Sequence, residues 1–302
     1  MTFRHVTKSI LLGLVLISTV HAQQDFSKVE IKTEKLTDNI YVLFGAGGNI
    51  GVSVGNDGVF VIDDQYAPLT DKILAAIKVL SEKPVRFVIN THWHGDHTGG
   101  NENMGKAGAV IVAHENVRKR MSTRQVMKAF NRDVPPSPHI ALPVITFTQD
   151  VAFHLNGDEI SAMHVPHAHT DGDTVLKFGK SNIVHLGDTF FNGMYPFIDT
   201  GSGGSIDGII ASADKVLGMV DDNTKIIPGH GPITDKSGLQ AYRDMLDKAR
   251  ASIKTHVNAG KSLEETVAAR PTAEFDETWG KGFMTPDRFT SIVYMSLSQA
   301  AK

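Results

Sequence analysis

His92-Trp93-His94-Gly95-Asp96-His97 is the stretch on which the reading of this chain turns. It follows the apolar run 85–89 (VRFVI), which reads as a buried strand. Where backbone is still extended, positions two apart project to the same side, so His92 and His94 can reach one ion together. Asp96 and His97 come next in a glycine-containing turn, which can redirect them to a second ion. The bland alternative is a surface histidine cluster that binds nothing.

Outward from this stretch the pattern is strands first, then helix. Residues 40–44, 50–54 and 59–62 are short apolar or β-branched runs, divided by Gly45-Ala46-Gly47-Gly48 and Asn56-Asp57-Gly58. That is the signature of an antiparallel meander. A helix follows, capped by Thr70, with Ile73, Leu74, Ile77 and Leu80 on one face. Residues 109–113 are a further buried strand. Residues 114–143 change character: Arg118, Lys119, Arg120, Arg124 and Lys128 precede Pro135-Pro136-Ser137-Pro138. A helix ending in a proline-rich loop fits, either as a solvated basic face or as a cover over a site.

The second half repeats the theme. Strands are expected at 151–155, 160–165, 174–178, 183–186 and 225–227. A helix beginning near Ser205 carries Ile206, Ile209, Ile210, Ala213, Leu217 and Val220 on one face. From Leu239 the chain reads as helical, with Tyr242, Met245, Leu246, Ala249 and Ile253 as a core stripe. Ser262-Leu263-Glu264-Glu265 is a capping box, and Pro286 suits the first turn of a last helix. Strands then helix, twice, predicts an α/β protein in which two sheets pack together with helices outside. No linker is long enough to separate independent domains, so residues 23–302 are read as one unit, with its core at about 30–235 and a helical extension at about 239–302.

Composition narrows the classes. Of 302 residues 41% are hydrophobic, enough for one large core or two modest ones. The formal net charge of -3 offers no broad basic field for a nucleic-acid backbone. Residues 1–22 read as a secretory signal peptide: Arg4, His5 and Lys8 precede an apolar run at 9–20, and Val20-His21-Ala22 suits cleavage. The run is short for a membrane span. A periplasmic or secreted protein without stable membrane association is therefore expected. There is no cysteine, which excludes disulfides, cysteine catalysis and Cys-ligated metal; any ion must be held by His and carboxylate.

Three more donors lie in similar settings. His169 sits between two strands in Pro166-His167-Ala168-His169-Thr170-Asp171-Gly172-Asp173. Asp188 follows a strand in Gly187-Asp188-Thr189, and His230 follows one in Pro228-Gly229-His230-Gly231. With His92, His94, Asp96 and His97 they make a set that a bridged pair of ions can use. His167 is expected near the rim of the site, and His164 and His185 in the sheet.

These residues resemble the metallo-β-lactamase superfamily, whose mark is His-x-His-x-Asp-His followed by a separated His, Asp and His. The match runs over roughly residues 30–235. The resemblance implies an αβ/βα four-layer sandwich with the site at one edge. It implies one ion on His92, His94 and His169, a second on Asp96, His97 and His230, and Asp188 as the bridge. Asp63, in Val61-Ile62-Asp63-Asp64, resembles the family's acidic residue behind the site. The subclass with a Cys ligand is excluded, because Asp188 stands there. His97 matches the subclass with His after the motif Asp, but that subclass usually lacks a bridging Asp. The full set looks more like glyoxalase II, lactonases and the tRNA-processing nuclease.

Two Zn²⁺ ions, or Fe or Mn, would lower the pKa of water and hold a hydroxide between them. The expected activity is attack of that hydroxide on a small-molecule carbonyl compound: a β-lactamase-like cyclic amide first, a lactone or thioester next. Asp96 would orient the hydroxide or shuttle its proton. Asn192 and Tyr195, in the loop after Asp188, are candidate donors to a developing oxyanion, or else ordinary loop residues. Gly201-Ser202-Gly203-Gly204-Ser205 reads as an anion-receiving helix entry or a plain turn, and the tip at Gly45–Gly48 as a flap or a plain turn. The rival readings are a nuclease, disfavoured by net acidity; an oxidoreductase resembling persulfide dioxygenases, which keep the motif but use one iron; and a metal-stabilised binding protein.

Overall fold

The computed structural model describes residues 25–300. The expected signal segment, residues 1–22, lies outside the described residues. The chain opens with four strands, β1 (Lys32–Lys35), β2 (Ile40–Phe44), β3 (Ile50–Gly55) and β4 (Gly58–Ile62), each antiparallel to the next. Helix α1 (Thr70–Leu80) then crosses over to β5 (Val85–Asn90), parallel to β4. Two short helices, α2 (Gly95–Thr98) and α3 (Asn101–Lys106), lead to β6 (Val110–His114), parallel to β5. Helix α4 (Glu115–Met121) follows, then a separate hairpin of β7 (Gln125–Met127) and β8 (Arg132–Val134). Strand β9 (Ile145–Phe147) completes a seven-stranded sheet in the order β1-β2-β3-β4-β5-β6-β9.

The second sheet has five strands in sequence order: β10 (Asp150–Leu155), β11 (Asp158–His164), β12 (Thr174–Phe178), β13 (Ile183–His185) and β14 (Lys225–Ile227). Only the last pair is parallel, joined through α5 (Ile206–Leu217). Four helices follow: α6 (Lys236–Asn258), α7 (Leu263–Ala268), α8 (Asp276–Trp279) and α9 (Pro286–Ala300).

Alternation along the strands sorts side chains into three apolar layers, because successive residues face opposite sides of a sheet. Phe60 and Ile62 of β4 join Ile89, Leu176, Phe178 and Ile183 between the sheets. Their neighbours Val59 and Val61 face outward onto Ile73 and Ile77 of α1. On the far side, Val175, Val184 and Ile226 pack beneath Ile209 of α5, Leu246 of α6 and Phe289 of α9. The result is helix, sheet, sheet, helix, the four-layer sandwich expected. The stripe on α6 is buried as core, and the capping box at Ser262 and Glu265 is formed.

The helix expected to start at Thr70 has Leu69 as its cap and Thr70 as its first residue. Segment 114–143 is not a helix ending in a loop: α4 gives way to the β7–β8 hairpin. Its arginines are engaged, Arg120 with Asp171 and Arg124 with Asp133, and Arg118 with Pro143 O. That pairing overrides the solvated-face alternative for Arg118 and Arg120, which are half-buried, while Arg124, with its side chain 72% exposed, stays on the solvated face.

Candidate metal centre

The strands β5, β11, β13 and β14 deliver their following turns to one edge of the sandwich. His94 caps α2 and His97 lies on it. His169 stands in the turn after β11, Asp188 in a 3-10 turn after β13, and His230 after β14, where it bridges to Phe191. Two glycines make room. A Cβ on Gly48 would strike the His97 ring, and one on Gly229 would strike Asp188 Oδ1.

The donors fall into two groups, His92 with His94, His169 and Asp188, and Asp96 with His97 and His230, each with ligand atoms within 4.8 Å of one another. Asp188 faces both. Its Oδ2 lies 3.7 Å from His92 Nε2 and 3.5 Å from His169 Nε2. Its Oδ1 lies 3.1 Å from His97 Nε2 and 3.4 Å from His230 Nε2. Asp96 Oδ2 is 3.3 Å from His230 Nε2. Asp188 Oδ1 and His92 Nε2 are buried without any hydrogen-bond partner, the 3.1 Å approach to His97 being poorly aligned. Orphaned buried donors and acceptors are costly, and a divalent cation would satisfy both. The residues fit a pair of ions held by N and O donors alone.

The remote nitrogen of four histidines is held by an oxygen, which leaves the other free to ligate. His97 Nδ1 donates to Asp63 Oδ2 at 2.7 Å. His92 Nδ1 donates to the Thr91 hydroxyl at 3.0 Å, and that hydroxyl donates to Asp63 at 2.8 Å. His94 Nε2 donates to Asp199 Oδ2 at 3.0 Å, turning its Nδ1 to within 2.9 Å of His169 Nε2. His169 Nδ1 donates to Phe197 O at 2.7 Å. Asp63 holds its place at φ 62°, a left-handed conformation that Asp tolerates better than most side chains. It stands behind the site, as the resemblance implied.

Charge follows this geometry. Burial alone would raise the Asp188 carboxyl, but His97, His230 and His92 together drive it well below the usual range. Burial opposes charge on His230, yet Asp188 and Asp96 raise it to about 9. His97 is likewise raised well above normal despite burial, by Asp188, Asp63 and Asp96. His169 is pushed down to about 4 by burial, and burial with the charge of His97 holds His92 well below the ordinary imidazole range. Asp199, held up by burial but hydrogen-bonded to His94, falls to about 2.

A cavity of about 450 Å³ opens onto these groups. Asp96, Asp188, His94 and His230 form its floor, with Gly47 and Tyr66 at one wall. Met127, Phe130 and Arg132 of the hairpin segment line it too, so the 114–143 insert does cover the site. The Tyr66 hydroxyl keeps its proton up to about 12, through burial and the nearby Asp96 charge.

Two expected substrate donors are corrected. Tyr195 is fully buried, stacked on Phe289 at 4.3 Å between ring centroids, with its hydroxyl on Asp276 and Thr272 O. Asn192 donates its amide to Pro232 O and does not line the cavity. The 201–205 segment is a turn: Asp199 accepts from Ser202 N, and Ser205 caps α5. His167 is exposed and bonded to Gly203 O, away from the cavity lining. His164 and His185 end β11 and β13, as expected. Sequence reasoning missed Asp199, Phe197, Tyr66 and Arg132. Asp199 carries no motif; its one signal is an acid directly after the apolar pair Phe197-Ile198.

Comparison with known proteins gives a consistent picture. The metallo-beta-lactamase superfamily model matches residues 44–232. The chain is 28% identical over 158 residues to the hydroxyacylglutathione hydrolase of Nitrosococcus oceani, covering 52% of each chain. It thus spans about half the length of that relative. It is 23% identical over 244 residues to the 2,4-dinitroanisole O-demethylase subunit alpha of a Nocardioides species, covering 79% of this chain and 70% of that one. Among solved structures, the metallo-beta-lactamase from Pontibacter korlensis superposes with a TM-score of 0.59 at 19% identity, over 72% of this chain and 99% of that one. A sec-alkylsulfatase from a Pseudomonas species gives 0.65 at 17% identity, over 88% and 50%.

Two outcomes test the centre. Asp199→Ala frees His94 to rotate and should weaken zinc binding about 10–100-fold in a chelator competition; unchanged affinity would refute the orienting role. In the metal-free protein His97 and His230 are raised and so protonated near pH 7.5. Because ligands must shed those protons, apparent affinity should rise with pH through about 9, where His230 titrates, and on until His97 has lost its proton, with about two protons released on full loading. Calorimetry in buffers of different ionisation enthalpy reads this directly, and no proton release would contradict it.

Proposed function

The chain belongs to the metallo-β-lactamase superfamily, and on that premise we propose that it is a binuclear metal-dependent hydrolase of a small carbonyl compound, with zinc as the ion. The observation that carries this reading is Asp188, one oxygen toward each histidine group. His92, His94 and His169 would hold one ion, Asp96, His97 and His230 the other. When bound, such a pair acidifies water and polarises a carbonyl.

The chain's own residues supply the rest. Asp96 lines the cavity and its carboxyl lies below the normal range: burial would raise it, but His97 and His230 outweigh burial. It therefore stays charged and can accept a proton from attacking water. Tyr66, still carrying its proton, can donate to the developing oxyanion in place of Tyr195. Phe130, Phe197 and Phe283 wall the cavity with apolar surface and limit competing water.

We place lactones and thioesters ahead of cyclic amides. Asn192 and Tyr195, the candidate donors to a developing oxyanion, are engaged elsewhere, and the less reactive amide carbonyl needs such donors most. Similarity to a hydroxyacylglutathione hydrolase supports the same order. One observation favours a β-lactam as the second reading: Arg132 brings a guanidinium to the cavity, where a ring carboxylate would meet it.

The test is metal analysis of purified protein followed by a panel of thioesters, lactones and β-lactams. Two ions per chain and turnover of thioester or lactone are expected; a single iron, or a homogeneous loaded sample that opens none of the three, would sink the reading. Tyr66→Phe should lower kcat about 10–100-fold, below the loss of a full oxyanion-hole donor at its upper end, with metal content unchanged. Full kcat would remove Tyr66 from the mechanism.

A further inference from the structure

Phe130 lines two cavities. One is the 450 Å³ cavity over the metal centre. The other, of about 210 Å³, lies between the hairpin segment and α9. Ala129 and Phe130 form one side of the second cavity, and Met284, Ile292 and Met295 the other. Met284 and Ile292 are buried at its floor, while Phe130 is 41% and Met295 38% exposed. Arg288, Ile292 and Met295 recur at helical spacing, so one face of α9 is presented to this space. The polar members are peripheral: Asp287 and Arg288 are exposed, and Ser291 Oγ is turned back onto Asp287 O.

Exposed large apolar side chains gather here. Phe130, Phe283 and Met295 are among the few such residues of the described chain, and each lines one or both cavities. Contiguous exposed apolar surface marks a binding site more often than scattered residues do. Helix α9 also lies beyond residue 232, where the superfamily match ends. The groove is thus built by a segment inside that match, the β7–β8 hairpin region, and a helix outside it.

We propose that the groove receives an extended apolar substituent of the substrate, an alkyl or aryl tail, while its carbonyl sits at the metal centre. This rests on the carbonyl-hydrolase reading above. The sharing of Phe130 identifies the occupant: a molecule held at the metal centre meets that ring in the first cavity, and the same ring forms one side of the groove. A tail lying there removes its own methylenes and the Met295 and Phe130 surfaces from water together, so affinity grows with chain length. The hairpin and α9 act as the selecting element, discriminating long-tailed from short-tailed carbonyl compounds.

The test is a homologous series of n-acyl thioesters of N-acetylcysteamine, butanoyl to decanoyl. The wild-type kcat/KM should rise about 30-fold across the series, a fraction of full methylene burial. Met295→Glu puts a charge in the groove and Ser291→Trp fills it; each should bring the decanoyl-to-butanoyl ratio to within about threefold. Val79→Glu, on the remote exposed face of α1, should keep the wild-type ratio. A flat wild-type series, or a ratio untouched in both groove variants, overturns the proposal. So does a wild-type dimer that Met295→Glu dissociates in sedimentation, since the groove would then be a contact between copies. If no thioester, lactone or β-lactam is opened at all, the hydrolase reading fails on its own. The groove is then judged by calorimetry: decanoate should bind the loaded protein about 30-fold more tightly than butanoate, and Met295→Glu should abolish the difference. Equal binding overturns it.

Discussion

Asp188 is the point on which the edge of this molecule depends. Its carboxylate is buried, and a buried charge persists only when opposite charge or donors surround it. Here the surroundings come from both sheets: His92 and His97 follow β5 of the first, while His169 and His230 follow β11 and β14 of the second. If the sheets slid past one another, the carboxylate would lose half its partners. Each oxygen faces a separate histidine group, the arrangement that on the proposed reading would let two cations share one carboxylate.

The sheets are locked at this edge by uncharged contacts as well. Asn49, at the start of β3, donates its backbone N–H to Gly229 O and its amide to Pro228 O and Gly231 O, around the turn that carries His230. His185 Nε2 donates to Asn49 O from the other side. The loop Phe197–Asp199 sets two ligands at once, His169 through a backbone oxygen and His94 through a carboxylate. Arg120, from the insert, grips Asp171 with two hydrogen bonds and steadies the turn that carries His169. Ligand orientation is therefore a property of the fold's edge, shared over many modest interactions.

Most strands and helices were legible because their burial is periodic. Val59 through Ile62 alternates between the intersheet layer and the α1 layer, and the α6 stripe is the buried face of an amphipathic helix. The metal donors were legible because N and O side chains recur after strands, where an apolar run stops abruptly at a polar residue. Segment 114–143 was misread as helix and loop because β7 and β8 are three residues each, too short for alternation to declare itself. Tyr195 was misplaced for a different reason. A loop tyrosine beside Asp188 is equally able to turn in or out, and the choice was made by Asp276 and Phe289, 81 and 94 residues on.

What the sequence by itself determined, then, is the donor set, the strands that it follows and the amphipathic faces that stack the layers. These follow from short-range rules: side-chain period, turn chemistry and the absence of any cysteine. Tertiary structure alone decided which oxygen of Asp188 faces which histidines, that Asp199 orients His94, and that Tyr66 and not Tyr195 meets the cavity. It also decided that Phe130 and α9 build an apolar groove beside the metals. The reason is physical: each of these depends on distances between segments far apart in the chain, and no local propensity encodes a distance that only packing creates.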